Sequence, residues 1–115
     1  MEKILGRELK RGTLEMILLT LLSERQMYGY ELVSTLEKRA GPAFQIKEGT
    51  LYPVLYRLED AGYLETRWET VDRGVPRKYY GLTSNGVQQL QKLTGEWQEF
   101  SRIINRLLDV KAGKK

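Results

Sequence analysis

The chain has 115 residues, and 41% of them are apolar, which suits one small globular domain. Its formal net charge of +4 favours a polyanionic partner. The sequence contains no Cys and no His, which excludes disulfides, zinc sites made of thiolates or imidazoles, and catalysis by Ser-His or Cys-His pairs.

The remaining residues show no pattern of an enzyme or of a membrane protein. No two acidic residues share the apolar context that catalytic carboxylate pairs require, and no glycine-rich phosphate loop joins a strand to a helix. The longest apolar stretch, Met16 to Leu22, is too short to span a membrane, and the first ten residues do not resemble a signal peptide. We therefore expect a cytoplasmic binding protein that uses no cofactor and no metal.

The first part of the chain predicts two amphipathic helices. Apolar residues at positions 14, 17, 18 and 21 share one helical face, which predicts helix 1 from about residue 13 to 22, capped by Gly12 or Thr13. Positions 32, 33 and 36 predict helix 2 from about residue 28 to 39, which Gly41-Pro42 ends. The alternating segment 44–46 (FQI) then predicts a short strand.

A run of seventeen residues, 48–64 (EGTLYPVLYRLEDAGYL), is the most informative part of the sequence. Apolar residues at positions 51, 54, 55 and 58 recur at helical spacing and predict helix 3 from about residue 48 to 60. The opposite face carries Thr50, Tyr52, Tyr56 and Arg57. Gly62 ends the helix because it tolerates the left-handed C-terminal conformation. Pro53 fits if the helix begins near Thr50, and otherwise it kinks the helix.

Two strand patterns follow helix 3, at about residues 63–70 and 77–83. Leu64 and Trp68 share one face of the first strand, and Tyr80 and Leu82 share one face of the second. The polar turn 71–76 (VDRGVP) between them predicts a hairpin with a basic tip, the wing. A short helix with an aromatic-basic face that leads into such a hairpin is typical of a DNA-reading winged helix. The predicted fold is therefore mainly α with a small β-hairpin.

A long helix from Ser84 or Asn85 follows the wing. Large apolar residues recur along it every three or four positions, at Leu90, Leu93, Trp97, Phe100, Ile104 and Leu107. Such a seam is suited to packing against another helix, so we infer a homodimer in which Ile4, Leu5 and Leu9 of one chain pack on the C-terminal helix of the other. The expected organisation is a winged helix-turn-helix domain over 1–83, a dimerisation helix over 84–111 and a basic tail over 112–115.

Three segments together resemble the PadR family of bacterial transcriptional regulators: 28–32 (YGYEL), 49–65 (GTLYPVLYRLEDAGYLE) and 77–83 (RKYYGLT). The match covers roughly residues 12–86, and the single C-terminal helix is similar to that of the smaller PadR-like proteins. The resemblance implies a homodimeric winged helix-turn-helix repressor that binds a palindromic operator and releases it when a small effector binds. Lys47 departs from the small polar cap of many members, so it either caps helix 3 itself or contacts phosphate.

The predicted DNA contacts lie on helix 3, at the start of helix 2 and on the wing. Tyrosine hydroxyls of helix 3 would bind phosphates, Arg57 would bind phosphate or guanine, and the wing would bind phosphates or the minor groove. Tyr28 and Tyr30 either touch the DNA backbone or pack under helix 3, and Tyr28 is the better candidate. The full predicted set is Tyr28, Lys47, Thr50, Tyr52, Pro53, Tyr56, Arg57, Arg73, Gly74, Arg77 and Lys78.

The resemblance also implies a candidate effector site. In some small family members, aromatic residues of the C-terminal helix line a cleft between the two chains that takes flat aromatic compounds. Trp97 occupies a matching position in 95–100 (GEWQEF), with Met16 and Leu18 as candidate walls. The alternative is that Trp97, like Phe100, is only part of the dimer core.

Two functions remain open on the sequence alone. The first is a ligand-responsive repressor that binds double-stranded operator DNA as a homodimer. The second is a winged-helix module that docks a partner protein and does not bind DNA, which the acidic end of helix 3 (Glu59-Asp60) favours. Salt-dependent DNA binding distinguishes the two.

Overall fold

The computed structural model describes residues 7–111, and the side chains of residues 13–70 and 73–109. In chain order, these residues form α1 (Arg7–Leu22), β1 (Met27–Tyr28), α2 (Gly29–Ala40), α3 (Glu48–Asp60), β2 (Leu64–Val71), a 3-10 turn (Asp72–Gly74), β3 (Val75–Leu82) and α4 (Ser84–Lys111). The strands form an antiparallel sheet in the order β1-β3-β2. The predicted fold class, a mainly α winged helix-turn-helix with a long C-terminal helix, is confirmed.

The hydrophobic core lies between the first three helices and the base of the sheet. The predicted apolar positions of helices 1 to 3 are buried there, except Ile17 and Val33, which are half-buried against it. Met27 and Tyr80, paired across β1 and β3, cover the core from the sheet side. The core therefore fixes α3 against the sheet, with one face of α3 directed outward.

Three local predictions differ from the structure. Helix α1 begins at Arg7, so Gly12 and Thr13 lie inside it and do not cap it, because residues 7–11 (RELKR) are good helix formers that extend it upstream. The segment 44–46 is not a strand in the described chain. The edge of β3 is instead occupied by β1, in a segment between helices 1 and 2 for which the sequence predicted no strand.

Helix α3 runs from Glu48 to Asp60, as predicted, and Pro53 lies inside it rather than in its first turn. Its C-terminus is a Schellman motif, in which the N–H groups of Tyr63 and Gly62 donate to the carbonyls of Leu58 and Glu59 at 3.0 Å each. Gly62 has a φ of 86°, the left-handed conformation that the sequence predicted. This tight stop delivers the chain directly into β2.

Helix α4 has two different halves. Thr83 is its N-cap residue, because the Thr83 hydroxyl accepts a hydrogen bond from the Gly86 N–H at 3.0 Å. Leu90 and Leu93 then pack against the chain's own core. Beyond them, the helix continues to Lys111, and its large apolar side chains between Trp97 and Leu108 are exposed. Of the predicted dimer contacts at the N-terminus, Ile4, Leu5 and the side chain of Leu9 lie outside the described residues.

No helix among residues 7–111 combines the length and the apolar character needed to cross a membrane.

Candidate nucleic-acid interface

A groove of about 370 Å³ runs between α3 and the hairpin of β2 and β3, the wing. It contains five of the predicted DNA contacts. The residues that line this α3–wing groove are Tyr28, Gly29, Tyr52, Tyr56, Trp68, Pro76, Arg77, Lys78 and Tyr80. The fold thus brings α3, the start of α2 and the wing together on one aromatic and cationic surface.

The short strand β1 positions the first tyrosine of this groove. Tyr28 pairs with Tyr79 in the sheet, and their rings meet edge to face at a centroid distance of 5.4 Å. The Arg77 guanidinium lies 4.5 Å from the centroid of the Tyr28 ring, a cation–π distance. The backbone N–H of Tyr28 donates to the Glu31 carboxylate at 3.2 Å. The strand and this helix-start contact together fix Tyr28 beside a wing cation.

Lys78 connects the wing to α3. Its ammonium lies 5.5 Å from the ring centroid of Tyr56 and 5.3 Å from that of Tyr80, and 3.4 Å from the carboxylate of Glu59. Burial, with smaller contributions from nearby Tyr56 and Glu59, raises the pKa of Tyr80 to about 12. The Tyr80 phenol is therefore neutral at physiological pH, and Lys78 provides the positive charge at this point of the groove.

Tyr52 and Tyr56 lie one helical turn apart on α3, with ring centroids 6.0 Å apart. Tyr52 is half-buried against the start of α2, where a Cβ at Gly29 would lie 2.1 Å from its hydroxyl. Burial, and to a smaller extent the charge of Glu48, raises the pKa of Tyr52. Tyr56 is exposed. One tyrosine thus packs on the scaffold while the other points outward.

Five further predicted contacts lie at the ends of this surface. Lys47 precedes α3 with extended backbone and makes no side-chain cap hydrogen bond. Thr50 and Pro53 are exposed on the first turns of α3. Arg73 and Gly74 form the wing tip, both with positive φ, at 62° and 77°. A left-handed Arg is unfavourable by about 1–2 kcal/mol, so the turn holds this cation at the tip at some expense in stability.

Arg57 lies elsewhere, on the side of α3 that faces α1. Its guanidinium donates two hydrogen bonds to one carboxylate oxygen of Glu15, from Nε at 3.2 Å and from a terminal nitrogen at 2.8 Å. Arg57 is exposed, but it does not line the α3–wing groove. The structure therefore separates Arg57 from the tyrosines with which the sequence grouped it.

Arg57 borders a second cavity, of about 560 Å³, between α1, α3 and α4. Its lining residues are Thr13, Glu15, Met16, Arg57, Leu93, Glu96, Trp97 and Phe100. Trp97 and Phe100 lie side by side here, with ring centroids 6.4 Å apart. Two of the three predicted effector contacts, Trp97 and Met16, thus meet in one cavity. Leu18 does not, because it is 0% exposed in the core.

Sequence reasoning missed Trp68 in the groove and Glu15 and Glu96 in the cavity. Strand alternation placed Trp68 on the face of Leu64, which is correct, but Leu64 is buried whereas Trp68 is 66% exposed. Glu15 and Glu96 carry no pattern that separates them from ordinary surface acids. Among the described residues, no cluster of His, Cys, Asp and Glu side chains could hold a metal ion.

Comparison with known proteins identifies the family. The sequence profile of the Transcriptional regulator PadR-like family matches residues 18–92. The chain belongs to the PadR-like family. It is similar to a transcriptional regulator from Clostridium thermocellum, with a TM-score of 0.82 and 30% identity over 90% of this chain and 97% of that one. It is also similar to a PadR family transcriptional regulator from Eggerthella lenta, with a TM-score of 0.79 and 36% identity over 89% and 87% of the two chains.

A relative with a known regulatory role belongs to the same family. The Negative transcriptional regulator PadR of Bacillus subtilis is 30% identical over 77 residues, which cover 67% of this chain and 42% of that protein. PadR-like proteins are DNA-binding transcriptional regulators, so this chain is a regulator that binds DNA and not an enzyme. The family thereby favours DNA over a partner protein as the ligand of the winged helix.

Proposed function

We propose that the chain acts as a homodimeric repressor that reads a palindromic operator with α3 and clamps the flanking backbone with the wing. The observation that carries this proposal is the outer half of α4. Its exposed large apolar side chains are Trp97, Phe100, Ile103, Ile104, Leu107 and Leu108. Monomeric proteins rarely leave such a continuous apolar patch in water, and a second copy of the same helix would cover it.

A two-fold dimer through α4 would present two copies of the α3–wing surface to one duplex. In each copy, the start and middle of α3 would contact one half-site through Lys47, Thr50, Pro53 and Tyr56. The wing would contact the adjacent backbone through Arg73, Gly74, Arg77 and Lys78. In this arrangement residues 1–83 form the reader and residues 84–111 the dimerisation helix. Repression as the direction of regulation is supported by the Bacillus subtilis relative, which is a negative transcriptional regulator. We place this activity in the cytoplasm, where the operator DNA is.

The oligomeric state tests this proposal. Ile104→Glu combined with Leu107→Glu places charges in the apolar face, and we expect the dimer seen by sedimentation velocity to dissociate and operator binding to be lost. Gln98→Glu, which adds a charge away from that face, should remain a dimer. A wild-type chain that sediments as a monomer while binding DNA would contradict the proposal.

A second candidate function, effector sensing, is supported by the cavity beside Trp97. Its volume suits a drug-sized ligand, and the Trp97 and Phe100 rings offer stacking surfaces for a planar aromatic compound. Arg57 of α3 forms part of the same wall. A bound effector would therefore touch the helix that reads DNA.

Trp97 fluorescence tests the effector site. In Trp68→Phe, Trp97 is the only tryptophan of the chain, and we expect proflavine, a planar aromatic dye, to quench its emission saturably in DNA-free buffer. Met16→Ala, which alters the cavity wall, should weaken this quenching. Emission that falls only in proportion to dye absorbance would argue against a site.

A further inference from the structure

We infer that the α3–wing groove seats one sugar-phosphate strand of the duplex and that Trp68 forms its outer wall, contacting the backbone regardless of base sequence. This inference rests on the proposed function, in which the α3–wing surface faces DNA. It adds a DNA contact on β2, a strand to which the sequence assigned none. It also explains why a large aromatic side chain stands unburied on the inner face of the wing.

The register of the hairpin fixes the position of Trp68. It lies opposite Lys78 in the β2–β3 pairing and on the same face of β2 as Leu64 and Thr66. That face is directed towards α3, because the Thr66 hydroxyl donates to the Glu59 carboxylate at 3.4 Å and Leu64 is buried in the core. Trp68 lies farther along the wing, beyond the end of this packing, and is 66% exposed beside the groove.

The charges around Trp68 favour an anionic occupant, such as a phosphodiester, over an apolar or cationic one. Arg77 lies over the Tyr28 ring, and Lys78 lies between the Tyr56 and Tyr80 rings. Both cations line the groove that Trp68 borders. A cationic groove with aromatic walls is also the surface with which single-strand-binding proteins hold a nucleic-acid backbone.

The chemistry of the indole suits the same occupant. Its N–H is a donor with no acceptor function, so it can bind a phosphate oxygen but cannot read a donor on a base edge. Its flat face can pack against a deoxyribose. Both contacts are independent of sequence, so Trp68 contributes affinity and positioning rather than discrimination between bases.

Binding measurements on two variants test this contact. Fluorescence anisotropy with labelled duplexes should show that Trp68→Ala weakens binding to operator and to unrelated DNA by the same factor. We expect about five- to tenfold per chain, at the low end for loss of one aromatic contact, and therefore about 25- to 100-fold for the dimer. The slope of log affinity against log salt should not change, since no charge is removed. Val87→Ala, which truncates an exposed apolar side chain on α4, should bind as the wild type does. Wild-type affinity in Trp68→Ala overturns the inference.

Fluorine NMR provides the direct observation. The chain contains two tryptophans, so 5-fluorotryptophan labelling gives two resonances, and Trp68→Phe identifies the one from Trp68. We expect this resonance to show a full H₂O/D₂O isotope shift in the free protein and to lose most of that shift when unlabelled duplex is added. A Trp68 signal that is already shielded without DNA would mean that another part of the protein assembly covers it, and would overturn the inference.

The two proposals fail in different ways. If the wild-type chain binds DNA and the Trp68 resonance keeps its isotope shift in the complex, the groove does not seat the backbone, although the proposed function stands. If the wild-type chain does not change the anisotropy of any duplex, both proposals fail.

Discussion

At the scale of single residues, the contact between Gly29 and Tyr52 shows how a core position sets the shape of the reading surface. A Cβ at residue 29 would lie 2.1 Å from the Tyr52 hydroxyl and 2.6 Å from the ring carbon that carries it. Gly29 lies at the start of α2, where Ala is otherwise the better helix former. The absence of a side chain at this position therefore allows Tyr52 to lie flat between α2 and α3.

We predict that Gly29→Ala lowers the free energy of unfolding by about 1–3 kcal/mol, the usual range for overpacking, and weakens DNA binding because Tyr52 is displaced into the groove. In a Tyr52→Ala background the same substitution should have almost no effect on stability, since the clash is gone. Urea unfolding of the four proteins of this cycle measures the loss of stability in the two backgrounds, and anisotropy titration of Gly29→Ala measures the loss of DNA binding. An equal loss of stability in the two backgrounds would show that a clash with the Tyr52 side chain is not the cause of the loss.

The buried phenol of Tyr80 predicts an alkaline loss of stability. Its pKa is raised to about 12 from a usual value of 10.0, so the unfolded chain loses this proton at a lower pH than the folded chain does. The stability contributed by the neutral phenol is complete below pH 10 and is lost as the pH rises from about 10 to about 12, by on the order of 2 kcal/mol.

Tyr80→Phe is the control for this titration. Guanidinium unfolding followed by circular dichroism between pH 9 and 11.5 should show a shallower decline for the variant than for the wild type. Parallel declines would mean that Tyr80 titrates alike in both states, and would contradict the buried position.

At the scale of elements, the wing is expected to act through charge. Removing Arg77 and Lys78 together (Arg77→Ala, Lys78→Ala) should weaken binding to operator and unrelated DNA alike. It should flatten the salt slope by about 1.8 per chain, or about 3.6 for the dimer, which corresponds to two phosphate contacts in each chain. Lys92→Ala with Arg102→Ala, which removes two cations of α4, should leave the slope intact. Anisotropy titrations over a range of salt concentrations provide the measurement. An unchanged slope in the wing variant would argue against backbone contacts by the wing.

The ion pair between α1 and α3 gives a second prediction at this scale. Arg57 is bound by Glu15 at 2.8 Å, so a DNA contact by Arg57 has to compete with this pair. If Arg57 contacts DNA as the sequence predicts, Glu15→Gln should strengthen DNA binding about 1.4- to 5-fold, the equivalent of one exposed ion pair of roughly 0.2–1 kcal/mol.

Glu24→Gln is the matched control, because it removes the comparable pair with Arg39 at 2.6 Å, between the α1–α2 turn and the end of α2. It should leave DNA affinity unchanged. If Glu15→Gln also leaves affinity unchanged, Arg57 belongs to the cavity wall and not to the DNA interface.

The sequence predicted elements well where a local pattern determines them. The bounds of α3 and its left-handed stop at Gly62 follow from helical spacing and from glycine conformation, which need no knowledge of the rest of the chain. The two-residue β1 was missed because a strand this short has no period and exists only through its pairing with β3. The exposure of Trp68 and the position of Arg57 away from the α3–wing groove could not be predicted, for a related reason. Periodicity gives the face of a residue but not how far the core extends beneath that face.

At the scale of the whole molecule, α4 shows the same difference between what a local sequence pattern determines and what only the fold determines. Its apolar seam was evident in the sequence, but only the fold shows that Leu90 and Leu93 are used within the chain whereas the positions from Trp97 onward are exposed. At 28 residues and about 1.5 Å per residue, α4 is roughly 42 Å long and extends beyond the small domain that it follows. An exposed apolar helix of this length would set the distance between two reading surfaces in a dimer.

In the proposed dimer, two copies of the α3–wing surface read one duplex through two-fold symmetry. The decisive measurement is selection of bound sequences from a pool of randomised duplexes by the wild-type protein. We expect enrichment of an inverted repeat whose half-sites lie about 10 base pairs apart, centre to centre, bound by two chains. Enrichment of a single, non-repeated site bound by one chain, or no enrichment at all, would contradict two-fold reading of the operator.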